Sequence, residues 1–137
     1  MAITPTKEQF QAFSHASRRG EVVMLNLLHF SGPDGNGSGE RSGQGAYRDY
    51  GDQAVKMVEA RGGRVLWMGR PEHVVIGDSD GDGWDLVVLV SYPSRSAFID
   101  MVTSPQYQEA HKHRERGLDR TVLLACEPLT NELESRA

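Results

Sequence analysis

The sequence of 137 residues has little cysteine, no excess of positive charge and no long apolar run. Its only cysteine, Cys126, excludes an internal disulfide framework and a metal site built from several cysteines. The 15 Lys and Arg against 19 Asp and Glu give a formal net charge of −4, which argues against a module that binds duplex nucleic acid. The longest apolar runs cover residues 86–90 and 122–126. Both are far shorter than the roughly 20 residues of a membrane span.

The first residues have no basic region followed by an apolar one, so they do not match a signal peptide. With the free thiol of Cys126, this predicts a cytoplasmic protein. Apolar residues make up 38% and charged residues 25% of the chain, as in ordinary globular proteins. We therefore expect one domain over residues 1–137, with its core at about 21–127 and a helical appendage at 1–20.

Hydrophobic periodicity divides the chain into helices and strands. Thr4 or Thr6 can cap a first short helix that ends by Gly20. The glycine-rich residues 31–45 match neither phosphate-loop pattern and are predicted to form a long loop. Residues 71–83 are predicted to form a loop or a short extra strand, since residues 73–76 could pair locally. The predicted strands are residues 21–30, 64–70, 84–92 and 121–126, and the predicted helices are residues 46–61, 94–102 and 104–116, the last stopped by Gly117.

The order strand, helix, strand, strand, helix, strand predicts a ferredoxin-like α+β fold. This βαββαβ fold is an antiparallel sheet with its helices on one face, here with an extra N-terminal helix. The predicted strands do not alternate apolar and polar residues, so both faces of the sheet need cover. We predict that the second face is covered by the same sheet of another copy, in a homodimer that forms a dimeric α+β barrel. The alternative is a monomer in which the N-terminal helix and the long loops cover that face.

Several short stretches occur in the order and spacing of a known family. They are Met24-Leu25-Asn26-Leu27-Leu28, Tyr47-x-x-Tyr50, Gly62-Gly63-Arg64, Trp84-Asp85 leading into Tyr92-Pro93-Ser94, Ser104-Pro105-x-Tyr107 and His113-Arg114. Over about residues 22–126 the chain resembles domain-of-unknown-function family 1330, in the dimeric α+β barrel superfamily. The resemblance implies a ferredoxin-like fold and a homodimer. It implies no particular activity, because the superfamily includes cofactor-independent oxygenases, small isomerases and haem enzymes.

Three candidate ligand-binding residues lie in predicted strands or on an apolar helix stripe. Asn26 places an amide in an apolar strand, which costs free energy unless the amide is hydrogen-bonded. Tyr50 lies on the buried stripe of the best predicted helix, and Trp84 opens a strand. We expect these side chains to line a pocket. The alternative is an amide bonded within the protein and aromatic rings that only pack in the core.

Basic residues supply the other candidates. Arg95 stands at a predicted helix start, where the helix dipole does not favour a cation, so we expect it to pair with a carboxylate of the chain or of a ligand. His111 shares a helix face with Tyr107 and Arg114, whereas His113 lies about 200° away from His111, so the two histidines cannot chelate one metal. The resemblance marks His113 and Arg114, and one of them is expected to reach an anionic substrate. The alternative is a solvated basic helix end.

No pattern indicates a metal or a cofactor, and we assign neither. The acidic residues 78–83 match only the first half of a calcium loop, because Leu89 stands where the loop needs its last acidic ligand.

The sequence therefore predicts a homodimer that binds a small, partly apolar or anionic organic molecule in a pocket between sheet and helices. If the protein is an enzyme, we expect cofactor-independent chemistry like that of an oxygenase or an isomerase. The alternative is a non-catalytic dimerisation or binding scaffold with no open pocket, and no nucleic-acid or membrane partner is expected.

Overall fold

Residues 4–16, 20–32, 43–77 and 83–130 are described by a computed structural model of the chain. In chain order, the elements are α1 (Lys7–Ser14), β1 (Val22–Phe30), α2 (Gly43–Ala60), β2 (Arg64–Gly69), β3 (Leu86–Tyr92), α3 (Arg95–Val102), α4 (Pro105–Gly117) and β4 (Leu118–Cys126). Within the described ranges, no helix has both the length and the apolar character that a membrane crossing requires.

The four strands form one antiparallel sheet in the order β2-β3-β1-β4. Helix α2 connects β1 to β2, and α3 with α4 connects β3 to β4. This is the predicted βαββαβ arrangement, so the ferredoxin-like α+β fold is confirmed. Helix α1 precedes β1, and Thr6 is its cap. The Thr6 side chain accepts a hydrogen bond from the backbone N–H of Gln9, and the Gln9 side chain accepts one from the backbone N–H of Thr6.

The hydrophobic core lies between the helices and one face of the sheet. Val22, Met24 and Leu28 of β1 point to that face and are almost fully buried. They belong to one cluster with Val58 of α2 and Met101 of α3. Because successive side chains of a strand point to opposite faces, the odd-numbered residues of β1 lie on the other side of the sheet.

That other side, which we call the open face, is apolar across all four strands. The register pairs Leu25 of β1 with Leu89 of β3 and Leu124 of β4, and it pairs Leu89 with Trp67 of β2. Trp67 and Leu124 are about half exposed. None of the helices in the described ranges packs on the open face, because the core that they build lies on the opposite one.

Several element boundaries differ from the sequence prediction. Strand β3 begins at Leu86, so Trp84 precedes the strand that it was expected to open. Helix α2 begins at Gly43, inside the stretch predicted as a loop, and β4 begins at Leu118 rather than at residue 121. Gly117 does not stop α4 before a loop; it is the last helical residue, and Leu118 continues directly as strand. A Cβ atom on Gly117 would lie 2.7 Å from the carbonyl oxygen of Gly43 and 2.8 Å from the backbone nitrogen of Tyr47. Glycine is therefore needed here because α4 packs closely on α2.

Residues 70–77, the described part of the connection that directly follows β2, form no strand. Val74, Val75 and Ile76, in the stretch predicted as a loop or an extra strand, form no ladder and are strongly exposed. Residues 78–82 of the acidic run and residues 33–42 of the glycine-rich stretch lie outside the described residues.

Candidate functional site

A cavity of about 890 Å³ lies between the sheet and the helices. Its floor is formed by side chains of β1, β3 and β4, and the helices α2, α3 and α4 supply much of the remaining wall. Leu123 and Ala125 of β4 line the cavity and are also exposed, as are the lining residues Gln9 of α1 and Met68 of β2. The cavity is therefore open on several sides, one of which is the β4 edge of the sheet. The polar lining residues include Asn26, Tyr47, Tyr50, Tyr107, His111 and Arg114.

Asn26 lies on the floor of the cavity, in the middle of β1. Its Nδ2 donates to the carbonyl oxygen of Val88, 3.2 Å away on β3, and to that of Met24 at 3.4 Å. The amide donors are therefore satisfied by the sheet. Among the described residues, no group donates to its Oδ1, so this oxygen is an acceptor at the cavity surface. Both interpretations that the sequence left open for Asn26 therefore apply to parts of its side chain. The amide nitrogen bonds within the protein, and the amide oxygen lies at the cavity surface.

Tyrosine side chains of α2 and α4 meet above the floor. The hydroxyl groups of Tyr50 and Tyr107 lie 2.9 Å apart, and their rings make an edge contact with centroids 5.9 Å apart. Tyr47 packs against Tyr50 with a centroid distance of 5.3 Å. Burial raises the pKa of Tyr47 to about 12 and the pKa of Tyr50 well above its usual value of 10. These hydroxyls therefore keep their protons at neutral pH and act as neutral hydrogen-bond donors.

Arg114 places a buried positive charge at the same end of the cavity. Its side chain projects from α4, and its Nη2 lies 3.5 Å from the Oγ1 of Thr121 on β4. Thr121 in turn donates to the carbonyl oxygen of Leu27, 2.9 Å away. The charge of Arg114 lowers the pKa of Tyr47 and of Tyr50, although burial outweighs this effect at both. A guanidinium group in this setting attracts an anionic oxygen that enters the cavity.

His111 lies between the tyrosines and Arg114. Its ring is stacked at a tilt on Tyr107 with a centroid distance of 5.7 Å, and its Nε2 lies 3.9 Å from a carboxylate oxygen of Glu115. Its Nδ1 is buried and has no hydrogen-bond partner within the described ranges. Burial lowers the pKa of His111, Arg114 lowers it further, and Glu115 opposes both effects. Burial therefore favours the uncharged form of the imidazole.

The structure brings three of the six residues selected from the sequence to the cavity, and these are Asn26, Tyr50 and Arg114. The other three, Trp84, Arg95 and His113, do not line it. The guanidinium of Arg120 lies 4.4 Å above the ring of Trp84.

Arg95 and His113 make other contacts. The guanidinium of Arg95 lies 4.9 Å from the centre of the Phe13 ring of α1. The ring of His113 contacts Arg116, with Nδ1 and Nη2 2.9 Å apart.

Tyr107 and His111 line the cavity but were not selected from the sequence. The signal for them was present, because residues 107, 111 and 114 are spaced i, i+4 and i+7 on one face of α4. Choosing His113 followed the resemblance instead of this helical spacing. His113 lies on another side of α4, which is why it contacts Arg116 and not the cavity.

Comparisons with known proteins agree with this fold. The chain is similar to a protein of unknown function from Rhodopseudomonas palustris, with 38% identity, 93% of this chain and 97% of that chain covered, and a TM-score of 0.82. The methylated form of that protein gives 37% identity, coverage of 96% and 97%, and a TM-score of 0.83. A protein from Mesorhizobium loti with a ferredoxin-like fold is 12% identical, with coverage of 81% and 99% and a TM-score of 0.53, and it supports the fold alone.

None of the curated proteins compared with the chain gives a significant match. The model of one family, described as Domain of unknown function (DUF1330), matches residues 41–127. That range contains the cavity residues of α2, β3 and α4. The chain therefore belongs to this family of unknown function.

Proposed function

We propose that the protein binds a small organic molecule, with an apolar body and an anionic oxygen group, in the cavity between the sheet and the helices. The observation that carries this proposal is the buried Arg114 beside protonated tyrosine hydroxyls in a cavity of about 890 Å³. Ligand sites commonly have volumes of about 300–1,000 Å³ and a few polar groups in mainly apolar walls.

The wall chemistry defines the ligand class. Arg114 supplies the charge for an anionic oxygen, and the hydroxyls of Tyr47 and of the Tyr50–Tyr107 pair supply donors. The Oδ1 of Asn26 supplies an acceptor on the floor. Apolar side chains of the sheet favour a hydrocarbon or aromatic body over a sugar or a nucleotide.

The proposal includes a homodimer in which the open faces of two copies pack together. The row Trp67, Leu89, Leu25 and Leu124 supports it, because a row of large apolar side chains across a whole sheet is typical of a buried face. Two facing sheets would pack about 10 Å apart. The cavities lie on the opposite side of each sheet, so one cavity belongs to each copy.

Acid–base chemistry on the bound molecule is a second candidate function, and His111 favours it. An uncharged imidazole can accept a proton, and Arg114 beside it stabilises the negative charge that the proton leaves behind. This is the cofactor-independent interpretation. The other alternative, a scaffold with a filled core, receives no support from an open cavity of this size.

Thermal unfolding in the presence of matched ligand pairs tests the binding proposal. Each pair consists of an aromatic carboxylate and the corresponding neutral amide. At about a hundred times its Kd, the carboxylate is expected to stabilise the protein by about 2.7 kcal/mol and raise Tm by several degrees, and the amide to do much less. Equal effects of the two compounds would contradict the role of charge, and no effect of any pair would contradict the proposed class of ligand.

Two variants of α4 distinguish anion binding by Arg114 from a general effect of the positive charge of the helix. Arg114→Lys keeps the charge but loses the planar donor group, and it is expected to weaken carboxylate binding about tenfold. Arg116→Met removes a charge from an exposed position of the same helix and is the control, expected to bind like the wild type. Circular dichroism confirms that both variants are folded. Equal loss of binding in the two variants would place the anion outside the cavity.

A further inference from the structure

Residues 121–126 of β4, at one edge of the sheet, lack the features that usually protect an edge strand. The charges Asp119 and Arg120 and the register shift opposite His29 and Phe30 lie before them, at the start of the strand. Residues 121–126 of β4 contain no charge and no proline, and Val122, Leu123 and Leu124 are 36–49% exposed. Within the described ranges, β4 pairs only with β1, so the backbone groups on its outer side have no strand partner. Edge strands of stable proteins are usually protected by charges, prolines, bulges or covering elements.

The other edge, β2, is protected. Its register shifts between Val65 and Trp67, and such a bulge disturbs the regular row of backbone groups that a new strand would need. Arginines flank it at positions 64 and 70. The register shift of β2 lies in the middle of the strand, whereas that of β4 lies at its start. Residues 121–126 of β4 are therefore the longer regular edge on which another strand can pair.

A segment of the same chain has the composition of that missing strand. Val74, Val75 and Ile76 are 59%, 89% and 94% exposed, and they form no ladder in the described part of the chain. All three are β-branched residues, which strongly favour strands. Three consecutive large aliphatic side chains in water are costly in a monomer and typical of a contact surface.

We propose that residues 74–76 of one copy lie along the outer side of β4 of a second copy and extend its sheet by one strand. This inference rests on the homodimer of the proposed function. Residues 74–76 and the β4 edge are both apolar on each side of the sheet. Val122 and Leu124 face the open face and Leu123 the helix side, and the segment is likewise apolar on both of its sides.

The area of the interface also favours a second copy as the occupant. Four strands of about seven residues give the open face a flat footprint of roughly 450 Å². A stable interface buries about 800 Å² on each partner. The 800 Å² is accessible surface, which is larger than the flat footprint of the same face. The exposed aliphatic segment lies outside this footprint, so its burial on β4 adds to the area buried between two copies.

The added strand would also complete the binding site. Leu123 and Ala125 line the cavity where it opens at the β4 edge. A strand laid outside them extends the floor and places a side chain of the partner copy at that opening. Each cavity would then have a wall from two copies.

Cysteine cross-linking tests this arrangement in the full chain, in a Cys126→Ser background that leaves no native thiol. The double variant Val75→Cys/Leu123→Cys is expected to give a covalent dimer with a short bis-maleimide reagent. The controls are the two single variants and the double variant Leu123→Cys/Leu129→Cys, since Leu129 is 89% exposed, like Val75. The cross-linked yield is expected to exceed that of every control at least tenfold.

Light scattering on the untreated protein tests the homodimer separately from the strand that residues 74–76 are proposed to add. A dimer with the specific cross-link supports the inference. A dimer whose cross-linking equals that of the controls overturns the inference and leaves the homodimer standing. A monomer at micromolar concentration overturns both.

A second variant measures the contribution of the segment to assembly. Val75→Asp is expected to raise the dimer dissociation constant at least tenfold, while Leu129→Asp changes it less than twofold. Equal effects of the two variants would overturn the inference.

Discussion

The hydroxyl groups of Tyr50 and Tyr107 lie 2.9 Å apart and join α2 to α4 beside the cavity. Either oxygen can donate, and the pair shares one hydrogen bond. Because two hydroxyls carry two protons, one proton remains to be donated elsewhere. The contact that joins the helices is therefore also a donor for a molecule in the cavity.

This contact predicts energetic coupling between the two tyrosines. Tyr50→Phe and Tyr107→Phe are each expected to lower the free energy of unfolding by about 1 kcal/mol. The double variant is expected to lose less than the sum, because both changes remove the same bond. Chemical denaturation of the four proteins measures the coupling. Tyr92→Phe is the control, since the Tyr92 hydroxyl makes only a 4.0 Å contact with the sulfur of Met101; additive losses for Tyr50 and Tyr107 would contradict the prediction.

Replacing Asn26 is expected to separate binding from stability. Asn26→Leu removes the donors to Val88 and Met24 but adds apolar contacts, so the free energy of unfolding is expected to change by less than about 1 kcal/mol. The Oδ1 acceptor is lost, and binding of an aromatic carboxylate that also carries a hydroxyl donor is expected to weaken about tenfold. Titration calorimetry on the folded variant measures this. Unchanged affinity would remove Asn26 from the site.

Stability is expected to depend on pH through His111. Because its pKa is lowered in the folded protein, the unfolded chain takes up a proton at a higher pH than the folded chain. The full stability is therefore present above the unfolded pKa of about 6.5, and it is lost progressively as the pH falls below that value. Denaturation from about pH 8 to about pH 5 is expected to show a larger loss in the wild type than in His111→Gln. His113→Gln, on the same helix, is the control and is expected to follow the wild type.

Two glycine substitutions are expected to have opposite effects. Gly117→Ala places a Cβ against the backbone of α2 and is expected to destabilise the protein by about 1–3 kcal/mol. Gly51→Ala, within α2, places its Cβ in open space and is expected to stabilise the helix by up to about 1 kcal/mol. Thermal unfolding measures both. A loss of stability in Gly51→Ala, or none in Gly117→Ala, would contradict the packing described here.

The order of helices and strands could be predicted because their apolar patterns and caps are local. Ser94 and Ser104 cap α3 and α4 as expected from the sequence alone. The junction of α4 and β4 could not be predicted in this way. In the sequence, Gly117 resembles a helix stop. In the structure, a glycine is needed there because α4 packs closely on the backbone of α2, about 70 residues earlier in the sequence. A local sequence pattern contains no information on that contact.

The candidate site shows the same limit. Asn26, Tyr50 and Arg114 were selected from the sequence and line the cavity, because each lies on the core side of its element. Trp84 and Arg95 are instead covered by side-chain contacts that depend on tertiary structure. Ligand binding by any of these residues stays a prediction until it is measured.

Helix α4 passes into β4 without an intervening loop, since Gly117 ends the helix and Leu118 begins the strand. The helix that carries Arg114 is therefore joined directly to the strand that carries Leu123. If ligand binding at Arg114 strengthens dimerisation through β4, dimerisation must raise the affinity for the ligand by the same factor.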